Sequence, residues 1–234
     1  MKNISGNINS IRNAVNDIKN KAGGSKNVEI LAVTKTFPWQ DVCEALKCEI
    51  KGIAESKIQE ALAKFELLGS RLDEISKHFI GHLQSNKVKK AVENFDLIQS
   101  LDSFKLAQDI DRHAKNINKI QSCLIEVKVS KEDSKTGIPF EEVEELYSYC
   151  LKLPNVSVNG LMTITPLNCS PQSSRLYFKS VFGLFEKIRL SHAGNEFNIL
   201  SMGMSDDYKI AVEEGSNMIR IGSAIFGERD YGNK

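Results

Sequence analysis

Apolar residues along this chain recur first at helical spacing and then in short, regularly placed runs. Ile4, Ile8, Ile11, Val15 and Ile18 mark one helical face, which predicts an amphipathic helix over residues 4–21 that stops at Ala22-Gly23-Gly24-Ser25. After it, strand-like apolar runs end near Lys35, Glu55, His82, Asp102, Ser130, Thr165, Ser205 and Gly227. Helix-like stretches fill the intervals at 38–47, 57–68, 84–92, 103–116, 140–151, 172–190 and 206–214. Pro38 after Phe37, Ser56, Ser103 and Ser205-Asp206-Asp207 supply helix-start signals. Eight strands alternating with helices predict a parallel sheet, and eight is the number that closes a barrel. The expected fold class is therefore α/β: a (β/α)8 TIM barrel with an N-terminal extra helix, as a single domain over residues 1–234. The competing architecture is an open doubly wound sheet, but its dinucleotide-binding form needs Gly-x-Gly-x-x-Gly after the first strand, and this chain lacks it there.

In such barrels the active site gathers at the C-terminal ends of the strands. Lys35 stands at that end of the first run, Glu29-Ile30-Leu31-Ala32-Val33-Thr34-Lys35, a pattern suited to a strand covered on both faces. Apolar walls disfavour the charged form of a lysine, and a neutral amine is a nucleophile. Most strand-end lysines simply snorkel into water, so position alone does not decide for the functional reading.

The last two strand ends carry a second signal. Loops after strands seven and eight often build the phosphate site of a barrel. Here Ser201-Met202-Gly203-Met204-Ser205-Asp206-Asp207 closes the seventh, and Met218 through Gly227 reads as the eighth. Gly222 would let the backbone approach a phosphate, and the hydroxyls of Ser205 and Ser223 can donate to its oxygens. The plainer reading makes Gly203 and Gly222 packing residues and Met202 and Met204 core filler. Arg220 interrupts an apolar strand between Ile219 and Ile221 and should point inward to a partner or ligand, because an unpaired buried charge is costly. It would leave a facing ring nitrogen unprotonated.

Other candidates are weaker. His78 and His82 have the spacing of a metal pair, but four residues apart on one strand they are too distant to share an ion. Glu126 and Lys128 alternate within one strand and could form an ion pair inside the barrel.

Hydrophobic residues at 41% and charged residues at 26% suit a globular protein with a full core, and a net charge of +1 gives no field to draw nucleic acid or an anionic membrane. The basic cluster Asn86-Lys87-Val88-Lys89-Lys90 reads as a solvated helix face. Five scattered cysteines without Cys-x-x-Cys spacing fit a reducing compartment, and no stretch of about eighteen apolar residues could span a bilayer, so a soluble cytoplasmic protein is expected.

Five segments make the sequence recognisable: Leu31-Ala32-Val33-Thr34-Lys35, His78 through Lys87, Gly160-Leu161-Met162-Thr163-Ile164, Leu200 through Tyr208, and Arg220 through Gly227. With them the chain resembles the pyridoxal-phosphate homeostasis proteins, whose fold is similar to the N-terminal barrel of alanine racemase. The resemblance implies the cofactor pyridoxal 5'-phosphate, with Lys35 matching the family's Schiff-base lysine, Ser205 and Gly222-Ser223 its phosphate cradle, and Arg220 the partner of the pyridine nitrogen. The chain departs from the family at Ile53-Ala54-Glu55-Ser56-Lys57, where Gly-Glu-Asn-Arg (or Tyr) is usual. Lys234 lies seven residues past the last predicted strand, so no second domain is expected to bring a catalytic tyrosine opposite the lysine, as one does in the racemase. The expected function is intracellular homeostasis of the cofactor, holding and transferring it without substrate turnover. Expected partners are the cofactor and apo-enzymes that use it, with the chain a monomer or weak dimer. The alternatives are a cofactor-dependent amino-acid racemase and a lysine-dependent aldolase-type barrel that needs no cofactor.

Overall fold

The structure, a computed structural model, describes residues 2–21, 27–130, 136–192 and 196–228. The chain opens with α1 (Ile4–Lys21), which buries Ile4, Ile8, Ile11 and Val15 as the spacing predicts. The glycine-rich stop at 22–25 lies outside the described residues. Nine parallel strands follow: β1 (Glu29–Val33), β2 (Gly52–Glu55), β3 (Ser76–Phe79), β4 (Leu97–Leu101), β5 (Gln121–Lys128), β6 (Ile138–Pro139), β7 (Val156–Thr163), β8 (Ile199–Ser201) and β9 (Met218–Ile221). Eight of them run in the order β4-β3-β2-β1-β9-β8-β7-β5, and β4 also pairs with β5, so the sheet closes on itself. The two-residue β6 pairs only with the end of β5. This is the expected TIM barrel.

The helices α2 (Trp39–Lys47), α3 (Ile58–Leu68), α4 (Val88–Asn94), α5 (Phe104–Lys115), α6 (Val143–Cys150), α7 (Pro171–Ser191), α8 (Tyr208–Glu213) and α9 (Ser223–Phe226) alternate with the strands. Side-chain alternation sorts the core into two layers. Ala32, Ile219 and Ile221 face outward and pack with α1 and α9, whereas Leu31, Val33, Ala54, Leu97, Leu124, Met162 and Met218 pack with one another inside the barrel. The basic cluster is a solvated face as read, with Lys89 and Lys90 exposed on α4. No helix among the described residues is long and apolar enough to cross a membrane.

Two readings need correction. The run from Met218 to Gly227 is not one strand: β9 ends at Ile221, and Ser223–Phe226 turns into α9 behind Gly222. Glu126 and Lys128 form no ion pair among the described residues; the Glu126 carboxylate accepts instead from Thr136 Oγ1 at 2.6 Å.

Candidate functional site

Lys35 sits, half-buried, in the turn that leaves β1. The next residue, Thr36, has φ +69°. A β-branched residue in the left-handed region is a true outlier, costing roughly 1–2 kcal/mol, and persists only where its surroundings impose it. Here α3 imposes it. Lys64 Nζ donates to the Thr34 carbonyl at 2.6 Å, and the Thr36 amide donates to the Glu60 carboxylate. Lys64 is itself buried and pairs with Glu55 at 2.6 Å, while Thr34 Oγ1 donates to the same Glu55 oxygen at 2.7 Å. Burial pushes the Glu55 carboxyl above its usual range, and the charge and hydrogen bond of Lys64 pull it back. The second Glu55 oxygen has no hydrogen-bond partner among the described residues.

Arg220 points into the barrel, as its place between two apolar neighbours requires. Its Nη1 donates to the Ser201 carbonyl at 2.9 Å and to Ser201 Oγ at 2.8 Å, and its Nη2 donates to the Thr163 carbonyl at 2.8 Å. Both Nη1 hydrogens are thereby used, leaving Nε–H and one Nη2 hydrogen for a ligand. Burial lowers its pKa to about 10, with Asp207 and Glu126 opposing, so the group is charged at neutral pH.

Behind Arg220 lies the turn into α9. The Ala224 amide donates to Ser205 Oγ at 3.1 Å, which joins the β8 loop to the head of α9 and leaves the Ser205 hydroxyl hydrogen available. Internal α9 bonds begin with Ile225 N–H to the Gly222 carbonyl, so the Ser223 amide is a first-turn donor without an intrahelical acceptor. The two glycines of this mouth differ. Gly203 is a packing residue: its φ is +91°, and an added Cβ would lie 2.8 Å from Tyr208 Cα. Gly222 has φ −111°, outside the left-handed region, and an added Cβ would meet only Val33, at an ordinary 3.6 Å. Neither conformation nor crowding requires glycine there. The space it leaves lies against β1, two residues ahead of Lys35.

A chain of polar groups continues from Arg220 down the barrel axis. Ser201 Oγ donates to Gln99 Oε1 at 2.8 Å, Gln99 Nε2 lies 2.8 Å from His78 Nδ1, and His78 Nε2 lies 2.7 Å from Ser76 Oγ. Arginine cannot accept, so the arrangement that satisfies every buried group runs one way: Ser201 donates to Gln99, Gln99 to Nδ1 of His78, and Nε2–H of His78 to Ser76. Ser76 and His78 reach the largest cavity, about 1160 Å³, at the opposite mouth where the strands begin. None of Lys35, Ser205, Arg220, Gly222 or Ser223 lines that cavity.

His78 and His82 are indeed separate: His78 is inside the barrel, and His82 lies past β3, exposed, with Nδ1 3.5 Å from Asp102. No group of three or more potential metal ligands occurs among the described residues. The α3 brace and the partners of Arg220 escaped the sequence reading, because nothing local marks contacts between residues 19 to 57 positions apart.

Comparison with known proteins identifies the family. Residues 7–230 match the family model described as the alanine racemase N-terminal domain. The chain is 42% identical over 216 residues to the pyridoxal phosphate homeostasis protein of Aquifex aeolicus, covering 90% of this chain and 92% of that one. It is 37% identical over 235 residues to its namesake in Vibrio alginolyticus, covering 99% and 100%. The solved structure of PipY from Synechococcus elongatus with pyridoxal phosphate bound superposes with a TM-score of 0.84 at 30% identity, over 96% of this chain and 100% of that one. Alanine racemase from Clostridium difficile, 18% identical, shares the fold alone, with a TM-score of 0.68 over 95% of this chain and 56% of the racemase. The chain therefore belongs to the pyridoxal phosphate homeostasis protein family, built on the alanine racemase N-terminal barrel.

Proposed function

We propose that this protein binds pyridoxal 5'-phosphate and serves its homeostasis in the cytoplasm, as a single barrel domain that holds and transfers the cofactor without turning over a substrate. Lys35 carries the cofactor covalently. Ser205, Gly222 and Ser223 hold its phosphate, and Arg220 faces the ring nitrogen. The observation that carries this reading is the space left by Gly222: it lies against Val33, two residues ahead of the half-buried Lys35 in the turn after β1 and next to the first-turn amide of α9, with Arg220 two residues behind. The residues fit such a group, since hydroxyl and amide donors face its anionic end and a fixed guanidinium faces its ring.

When bound, the cofactor supplies an aldehyde that an amine can attack and a ring that can delocalise charge. Arg220 limits the second property. Still charged at neutral pH, Arg220 has no labile proton to give, so it would leave the ring nitrogen unprotonated and the ring a poor electron sink. That favours holding over racemase chemistry. An aldolase-type barrel would need neither Arg220 nor the cradle. The recipients are apo-enzymes that use the same cofactor, and the chain acts as a monomer or weak dimer.

Borohydride reduction of the cofactor-loaded protein followed by peptide mass mapping should place the adduct on Lys35, and Lys35→Ala should abolish the visible absorbance of the bound cofactor. A reproducible adduct on another lysine would overturn the assignment.

A further inference from the structure

We propose that Glu60 and Lys64 of α3 are positioning residues for Lys35, fixing the direction in which its amine meets the cofactor. This rests on the covalent role given to Lys35 above. The peptide groups on both sides of Lys35 are held by side chains of one helix: the Thr34 carbonyl by Lys64 and the Thr36 amide by Glu60. The two side chains also touch each other, with Lys64 Nζ 3.4 Å from Glu60 Oε1. The ladder reaches only to the Thr34 amide, which donates to the Ala54 carbonyl at 3.0 Å, and the Phe37 amide closes the turn on the Thr34 carbonyl at 3.1 Å; past Thr34 the remaining tethers of the turn are side chains of α3. Directly past the second clamp the backbone takes the left-handed φ at Thr36 that a threonine avoids when left to itself.

Stability alone is a poor reason for this arrangement. Replacing a buried ion pair by apolar residues is often neutral or better, yet Lys64 is buried and its ammonium touches Thr34, Glu55 and Glu60. What the three contacts achieve in common is a fixed path for residues 34–36, and the side chain that leaves that path is Lys35.

Glu60→Ala and Glu60→Gln test the idea, since the Glu60 side chain is partly exposed and neither change empties the core. The glutamine keeps an oxygen that can accept from the Thr36 amide; the alanine does not. Three readouts are compared: the rate of covalent capture of pyridoxal phosphate, the affinity for pyridoxine 5'-phosphate, which has an alcohol in place of the aldehyde, and amide exchange at Thr36 in the cofactor-free protein. Glu60→Ala should slow capture by about tenfold or more while leaving pyridoxine 5'-phosphate affinity unchanged, and Thr36 should lose its protection. Glu60→Gln should stay within about twofold of wild type in capture and keep that protection. Capture at the wild-type rate in Glu60→Ala, an equal loss of pyridoxine 5'-phosphate affinity, or unchanged exchange at Thr36 would overturn the proposal. An adduct on a lysine other than Lys35 in the wild-type protein would instead overturn the proposed function.

Discussion

Buried beside Gln99 and Ser76, the His78 imidazole has its pKa lowered from 6.5 to about 4, chiefly by burial and against the pull of Asp96. The folded protein therefore holds it neutral, while the unfolded chain takes up a proton as the pH falls below the ordinary value. Between about pH 6.5 and pH 4 the unfolded state binds more protons, so stability drops as the pH drops, by up to about 3 kcal/mol across that window. Urea denaturation of wild type and His78→Gln at pH 7 and pH 4.5 should show a smaller loss in the variant; equal losses would mean that another group carries the acid sensitivity. That Arg220 points inward could be read from its immediate neighbours, because a charge within an apolar strand must be accommodated; Lys35 is a candidate by position and is singled out only by the resemblance. The state of His78 could not be. Gln99, which fixes its tautomer, is twenty-one residues away in the chain and meets it only once the barrel closes.

Element order was legible because period-2 and period-3.6 patterns are local properties. Element ends were not. Predicted ends at Lys35, His82 and Ser205 overshoot β1, β3 and β8, which stop at Val33, Phe79 and Ser201. The apolar character continues into loops that pack over the barrel rim, so hydrophobicity outlasts the ladder. The same effect hid α9, whose residues Ala224, Ile225 and Phe226 would suit a strand equally well. Gly222, the residue at the break, was the one available signal. Gly222→Val would add methyl groups on the mouth side of a Cβ that itself fits against Val33. It should weaken pyridoxal phosphate affinity by about tenfold or more, roughly 1.4 kcal/mol. Gly183→Ala, in open space on α7, should leave affinity unchanged. Equal affinities for the two variants in equilibrium dialysis would place the phosphate elsewhere.

At the scale of the whole molecule, the barrel brings Lys35, Arg220 and the Gly222-Ser223 turn together by setting β9 beside β1, closing the chain's last strand onto its first. If Arg220 faces the ring nitrogen as proposed, the cofactor-loaded protein should show no steady turnover of L- or D-alanine, yet should restore activity to an apo-transaminase. Turnover on the order of 1 per second or more with either isomer would favour the racemase reading. The line of donors down the barrel has a consequence of another kind. Because its first member can only give hydrogens, every later member points its own toward the same end, and the barrel interior is electrically polar along its axis. The line ends at Ser76, which accepts from His78 and lines the cavity at the start of the strands, so its own hydroxyl hydrogen is left to give. Both ends of the line are thus donors: a guanidinium at one, and at the other the hydroxyl of Ser76.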